Sequence, residues 1–154
     1  MKFEHVKRAL NTFGAITIIL TGSIFSVSST HAHDLGFAGL LSNSNMSDLP
    51  DIKLSVGEPL GEDLVLESGR GYELNIISDG SGEIQLSGPS FFRAIWINEI
   101  VINDLEIRPY GIESLEFDDE GTIELEFIAI KVGTYELKIP GSNSDNQRLK
   151  ITIK

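Results

Sequence analysis

The chain has 154 residues and no cysteine, with 23 acidic against 12 basic residues and a net charge of −11. That length fits one domain, and 41% apolar with 23% charged residues is the composition of a packed core. The acidity excludes nucleic acid and anionic membrane surfaces, which need Lys and Arg facing phosphate; the missing thiols exclude disulfides, iron–sulfur clusters and cysteine nucleophiles.

Residues 1–32 read as a secretory signal peptide. Lys2, Lys7 and Arg8 make a basic start, and 15–27 is an apolar run. The run is shorter than the roughly 20 residues that span a bilayer. Thr30 and Ala32 stand at the −3 and −1 positions of a cleavage site. The expected location is therefore periplasmic or secreted. Cleavage after Ala32 removes Lys2, Lys7, Arg8 and Glu4, leaving nine basic and 22 acidic residues, a net charge of −13. Residues 33–50 are small and polar without a period, which reads as a flexible leader ending at Pro50. Asn45-Met46-Ser47 fits the glycosylation sequon, a short pattern common by chance.

From 51 to 154 a period of two takes over. Tyr72, Leu74 and Ile76 alternate with Glu73 and Asn75; Ile123, Leu125 and Phe127 alternate with Glu124 and Glu126. Tyr135, Leu137 and Ile139, then Leu149, Ile151 and Ile153, repeat the pattern. Apolar residues on one face and charges on the other mark half-buried strands. Gly-, Asp- and Ser-rich turns separate them at 68–71, 78–82, 118–121 and 140–143. Strand windows fall near 52–56, 63–67, 72–78, 83–87, 99–102, 105–109, 112–117, 122–128, 133–139 and 148–154, and merging some of them leaves about seven or eight strands. Only 89–97 (PSFFRAIWI) breaks the alternation, and Pro89 can open a short helical segment there. The fold class is all-β, a sandwich or barrel.

Three stretches resemble the cupredoxins, small exported Greek-key sandwiches: 66–74 (LESGRGYEL), 91–104 (FFRAIWINEIVIND) and 118–139 (DDEGTIELEFIAIKVGTYELKI). The resemblance covers 51–154 and implies a cupredoxin-like Greek-key β-sandwich. The central run looks like a subgroup of cupredoxin-like proteins often labelled copper-binding. It also implies where copper ligands would fall, with one histidine after an early strand and Cys, His and Met in the last loop. Here the early position falls at Gly82-Glu83, and the last loop, 139–147 (IPGSNSDNQ), holds none of the three. A type 1 copper centre needs a thiolate, so that centre is excluded.

What chemistry remains is sparse. His33 would be the new N-terminus, able to chelate copper through its amine and ring; cleavage after Thr30 would instead expose His31-Ala32-His33. With Glu83, His33 is the candidate set for a non-blue metal site. Histidines at a cleavage junction are more often incidental. Asp118, Asp119 and Glu120 lack EF-hand spacing and read as a solvated turn. Phe92, Arg93 and Trp96 form a candidate partner-binding patch, since Trp and Arg dominate interface hot spots. The competing reading has the aromatics plugging one end of the sandwich and Arg93 paired with an acid such as Glu99. No serine triad can be assembled without an available histidine, and a small sandwich offers little cleft, so no enzyme is expected. The functional expectation is an exported cupredoxin-like binding module, either holding copper at a non-blue site or metal-free. The alternative is a protein–protein interaction or assembly domain. Expressed with its leader and recovered from outside the cytoplasm, the protein is expected to give an intact mass beginning at His33; retention of residues 1–32 would overturn the signal-peptide reading.

Overall fold

Alternating sequences become strands wherever one face can be buried, and that rule accounts for most of this molecule. The structure is a computed structural model and describes residues 39–154. In chain order it contains β1 (Met46–Asp48), β2 (Ile52–Leu54), β3 (Leu64–Leu66), β4 (Gly71–Ser78), β5 (Ile84–Ser87), the helical turn α1 (Pro89–Phe92) and β6 (Ile95–Ile102). There follow β7 (Leu105–Ile107), β8 (Ser114–Phe117), β9 (Gly121–Ala129), β10 (Gly133–Lys138) and β11 (Arg148–Ile153).

They form two mixed sheets. Sheet A runs β1-β4-β9-β6-β7, with β2 also on β4; sheet B runs β3-β11-β10-β5-β8. β1 and β2 lie parallel to β4 along one edge, opposite its first and last three residues. β3 lies parallel to β11. The inner faces meet in one core that includes Leu74, Ile76, Leu125, Phe127, Leu137 and Ile151, all fully buried.

The break at 89–97 is a packing device. Gly88 passes so close to β10 that a Cβ would sit 2.3 Å from Leu137 Cδ2. Pro89 then opens α1, which swings Phe91 into the core. Phe91 meets Phe127 edge-on, with ring centroids 5.7 Å apart at 88°, and Tyr72 packs on the same Phe127. β6 begins directly after this turn, four residues earlier than the 99–102 window suggests. Two polar residues, Asn98 and Glu99, stand between Ile97 and Ile100, and the β6–β9 register shifts there. The bulge keeps both isoleucines inside. At its far end β6 turns into β7 through Asn103 and Asp104, both at positive φ (49° and 64°), as a type I′ hairpin requires.

Residues 39–48, within the segment expected as a flexible leader, are ordered, and the last three of them join sheet A. They form two 3-10 turns, Gly39–Leu41 and Asn43–Asn45, followed by β1. Asn45 is fully buried, its Nδ2 donating to the carbonyls of Leu40 (2.8 Å) and Gly69 (3.0 Å). Those bonds occupy the nitrogen that a glycan would need. A three-residue parallel edge strand carries no readable period, so the sequence gives no sign of it.

Replacing Phe127 by Ala should cost about 3–5 kcal/mol, because it removes the ring that Phe91 and Tyr72 pack against. Urea unfolding followed by circular dichroism measures this. A loss below about 1 kcal/mol would mean that the core does not turn on this cluster.

Candidate functional site

The outer face of sheet A is organised in rows, because side chains at paired positions stand side by side. One row crosses four strands as Met46, Gly71, Ile128 and Trp96. The next crosses the same strands as Asp48, Glu73, Glu126 and Glu99. An apolar row thus lies against a row of four carboxylates, about 7 Å away along the strands.

The apolar row depends on Gly71. A Cβ there would fall 2.2 Å from Met46 Sδ and 3.2 Å from Ile128 Cδ1, so only glycine lets the thioether lie across the strand onto Ile128. Ile128 is fully buried although it stands on the outer face, apart from the main core. Trp96 closes the row and stays 47% exposed. Ile130, 48% exposed, follows on the same face of the chain, where its N–H bonds the Ala94 carbonyl.

The acidic row is only partly compensated. Arg108 Nη2 lies 2.7 Å from Glu99 Oε2, and Asn98 Nδ2 donates to Glu126 Oε1 at 2.8 Å. Among the described residues Glu73 has no such cation. Partial burial pushes its carboxyl above the usual glutamate range, and the charges of Glu124 and Asp48 push it the same way.

The sequence candidates are scattered by the fold. His33 lies outside the described residues. Glu83 is an exposed residue just ahead of β5. Phe92 is 3% exposed, packs on Phe91 and contributes to the floor of the groove that Arg93 lines. Arg93 is exposed and pairs with Glu113, not with Glu99. It lines a groove of about 370 Å³ with Ile95, Tyr110 and Ile112. Trp96 faces away from that groove, since it alternates with Ile95 and Ile97, which point inward. The aromatic segment therefore divides its duties: the two phenylalanines fill the core and the tryptophan faces outward. The sequence shows each acid of the second row but not their alignment, which exists only once three registers are fixed.

Asp118, Asp119 and Glu120 form the expected turn. Asp119 Oδ1 accepts from the Glu120 N–H at 2.8 Å, and Gly80 packs against the same turn. Among the described residues no three His, Cys, Asp or Glu side chains are grouped to hold a metal. No helix of the described residues is long and apolar enough to cross a membrane.

No family model and no curated protein match this chain. Solved structures do. A multicopper oxidase from Pseudomonas thermotolerans superposes with a TM-score of 0.51 at 11% identity, over 72% of this chain and 30% of that one. A multicopper oxidase from Campylobacter jejuni, a metallo-oxidase, matches at 0.43 and 8% identity, over 61% of this chain and 21% of that one. A reduced amicyanin variant matches at 0.38 and 9% identity, over 68% and 81% of the two chains. The chain spans about a fifth to a third of the length of the oxidase and nitrite reductase chains it matches. Likeness at this identity shows the fold alone: the domain is a cupredoxin-like β-sandwich. The copper of such a fold does not fit these residues. The chain has no cysteine, the described residues contain no histidine, and their one methionine, Met46, is packed over Gly71.

Because Glu73 is raised in the folded state, the native protein holds that proton more tightly than the unfolded chain. Its contribution to stability then falls as pH rises through the window just above the ordinary glutamate range. Glu73→Gln should therefore stabilise the protein at about pH 7 by about 0.2–1 kcal/mol, and the gain should vanish near pH 3.5, below the ordinary carboxylate range of about 4. Urea midpoints at the two pH values decide this; a gain equal at both would deny the repulsion.

Proposed function

We propose that this domain is an exported, non-catalytic, cupredoxin-like module that works without copper and binds a partner protein through the outer face of sheet A. The observation that carries the reading is the pair of adjacent rows. A half-exposed Trp96 on a prepacked apolar row offers a rigid anchor of the kind that dominates interfaces. The carboxylates Asp48, Glu73, Glu126 and Glu99 beside it offer charge to a partner of opposite sign. The partner is thus a segment carrying apolar residues next to Lys or Arg. The signal-peptide pattern supports export to the periplasm or outside the cell, where such a module would meet it. A non-blue copper site built on His33 and Glu83 is the competing reading, and among the described residues Glu83 belongs to no group of three His, Cys, Asp or Glu side chains that could hold a metal.

Trp96 is the sole tryptophan, so its emission reports this face directly. A peptide alternating lysine and leucine should shift that emission in a saturable, salt-sensitive way, and a glutamate–leucine peptide should not. Glu73→Gln with Glu126→Gln should weaken the lysine peptide by about tenfold, which is about 1.4 kcal/mol. Equal response to both peptides would sink the charge argument. Stoichiometric Cu(II) binding to the protein with a verified His33 terminus, lost on removing that residue, would favour the copper reading.

A further inference from the structure

Among the described residues β7 is the free edge of sheet A, and all three of its residues are exposed. Its register against β6 places Leu105 opposite Ile102 and Ile107 opposite Ile100. Both therefore point toward the core side of the sheet, yet Leu105 is 62% and Ile107 40% exposed. Glu106 lies opposite Val101 on the outer side, and Arg108 continues that side, with Nη2 3.2 Å from Glu106 Oε2. The two-residue turn Asn103-Asp104 closes on Ile102 and Leu105 as a hydrogen-bonded pair. By the alternation of antiparallel ladders, Glu106 and then Arg108 direct their N–H and C=O groups away from β6. Pro109 ends the usable edge. Natural edges are usually guarded by lysines, bulges or a covering loop; this one presents two aliphatic side chains and an acid–base pair.

We propose that two copies of this chain pair antiparallel along β7, with Ile107 of each on the two-fold axis. The charges select the register. Setting Glu106 opposite itself, or Arg108 opposite itself, opposes like charges, which costs stability. Setting Ile107 opposite itself places each Glu106 against the partner's Arg108, twice by symmetry. The same register makes Glu106 and the partner's Arg108 the hydrogen-bonded pairs, and it covers Leu105 and Ile107. An edge this short makes a weak dimer, far below the roughly 1,000 Å² of a stable interface, so covalent capture is the readout.

The chain has no cysteine, so a single introduced thiol reports its own neighbourhood. Ile107→Cys would lie at a non-hydrogen-bonded axial pair, with Cα atoms about 4.5 Å apart, inside the range a disulfide spans. Under mild oxidation this variant should form covalent dimers at least about tenfold faster than Glu106→Cys or Val65→Cys. The Glu106 positions of the two copies are offset along the strands beyond disulfide reach, about 7 Å, and Val65 is exposed on the far edge of sheet B. Adding Glu106→Arg or Arg108→Glu to the Ile107→Cys protein should slow capture by about tenfold, since each copy then meets its own charge. Mixing those two doubly substituted proteins should restore the rate, because every cross-axis pair would again join an acid to a base. Equal capture at all three thiol positions would overturn the proposal. So would failure of the mixture to recover, or no capture by an Ile107→Cys protein whose circular dichroism is native.

Discussion

Strand β9 is paired on both sides, with β4 from Gly121 to Ile128 and with β6 from Glu124 to Ala129, and its register with each is the constraint on which the rest depends. Ile123, Leu125 and Phe127 must point to the core, which leaves Glu124 and Glu126 no choice but to face outward. A slip of one residue would invert every side chain. Because β4 and β6 obey the same rule, their outward residues are drawn into line with those of β9. The apolar and acidic rows are by-products of that alignment, and so is the exposure of Trp96. The single irregularity, the bulge at Asn98, keeps Ile97 and Ile100 inside although two polar residues separate them.

The outer face thus bears a cost that the core does not require. Like charges directly opposite one another weaken a sheet, and Glu73 faces Glu126 across one ladder and Asp48 across the other. Water and the Arg108 guanidinium reduce the repulsion without cancelling it. At the apolar row, by contrast, Gly71 gives up a side chain so that Met46 can cover Ile128. A bare glycine in a central strand weakens it, and here the lost packing is supplied by a neighbouring strand. Both features concern the same face, where the fold itself asks for neither.

Much of the architecture was legible from residues alone. β4, β9, β10 and β11 alternate cleanly, the turns between them carry Gly and Asp, and Pro89 marks the helical turn. The segments that escaped did so for physical reasons. β1 is three residues long and held through backbone and through the buried Asn45 amide, neither of which leaves a periodic trace. β6 begins under an aromatic cluster whose helical spacing hides the first strand residues. Arg93 has Glu113 within reach once β8 is placed beside β5, whereas sequence distance favours Glu99, which Arg108 takes instead. The site was the least legible part, since it is made of cross-strand neighbours far apart in the chain.

Sheet B has a further property that follows from its order. β11 is an interior strand: β3 pairs only with β11, and β10 pairs with it along all six of its residues. A chain emerging amino-terminus first cannot close this sheet until residue 153 is free, however early the other strands are made. β3 has no other strand partner in the sheet until then, and the pairing it awaits, Leu64–Leu66 with Ile151–Ile153, spans the kind of sequence separation that makes β proteins slow to fold. For a polypeptide that crosses a membrane before folding, a sheet closed by β11 stays open until nearly all of this domain has passed.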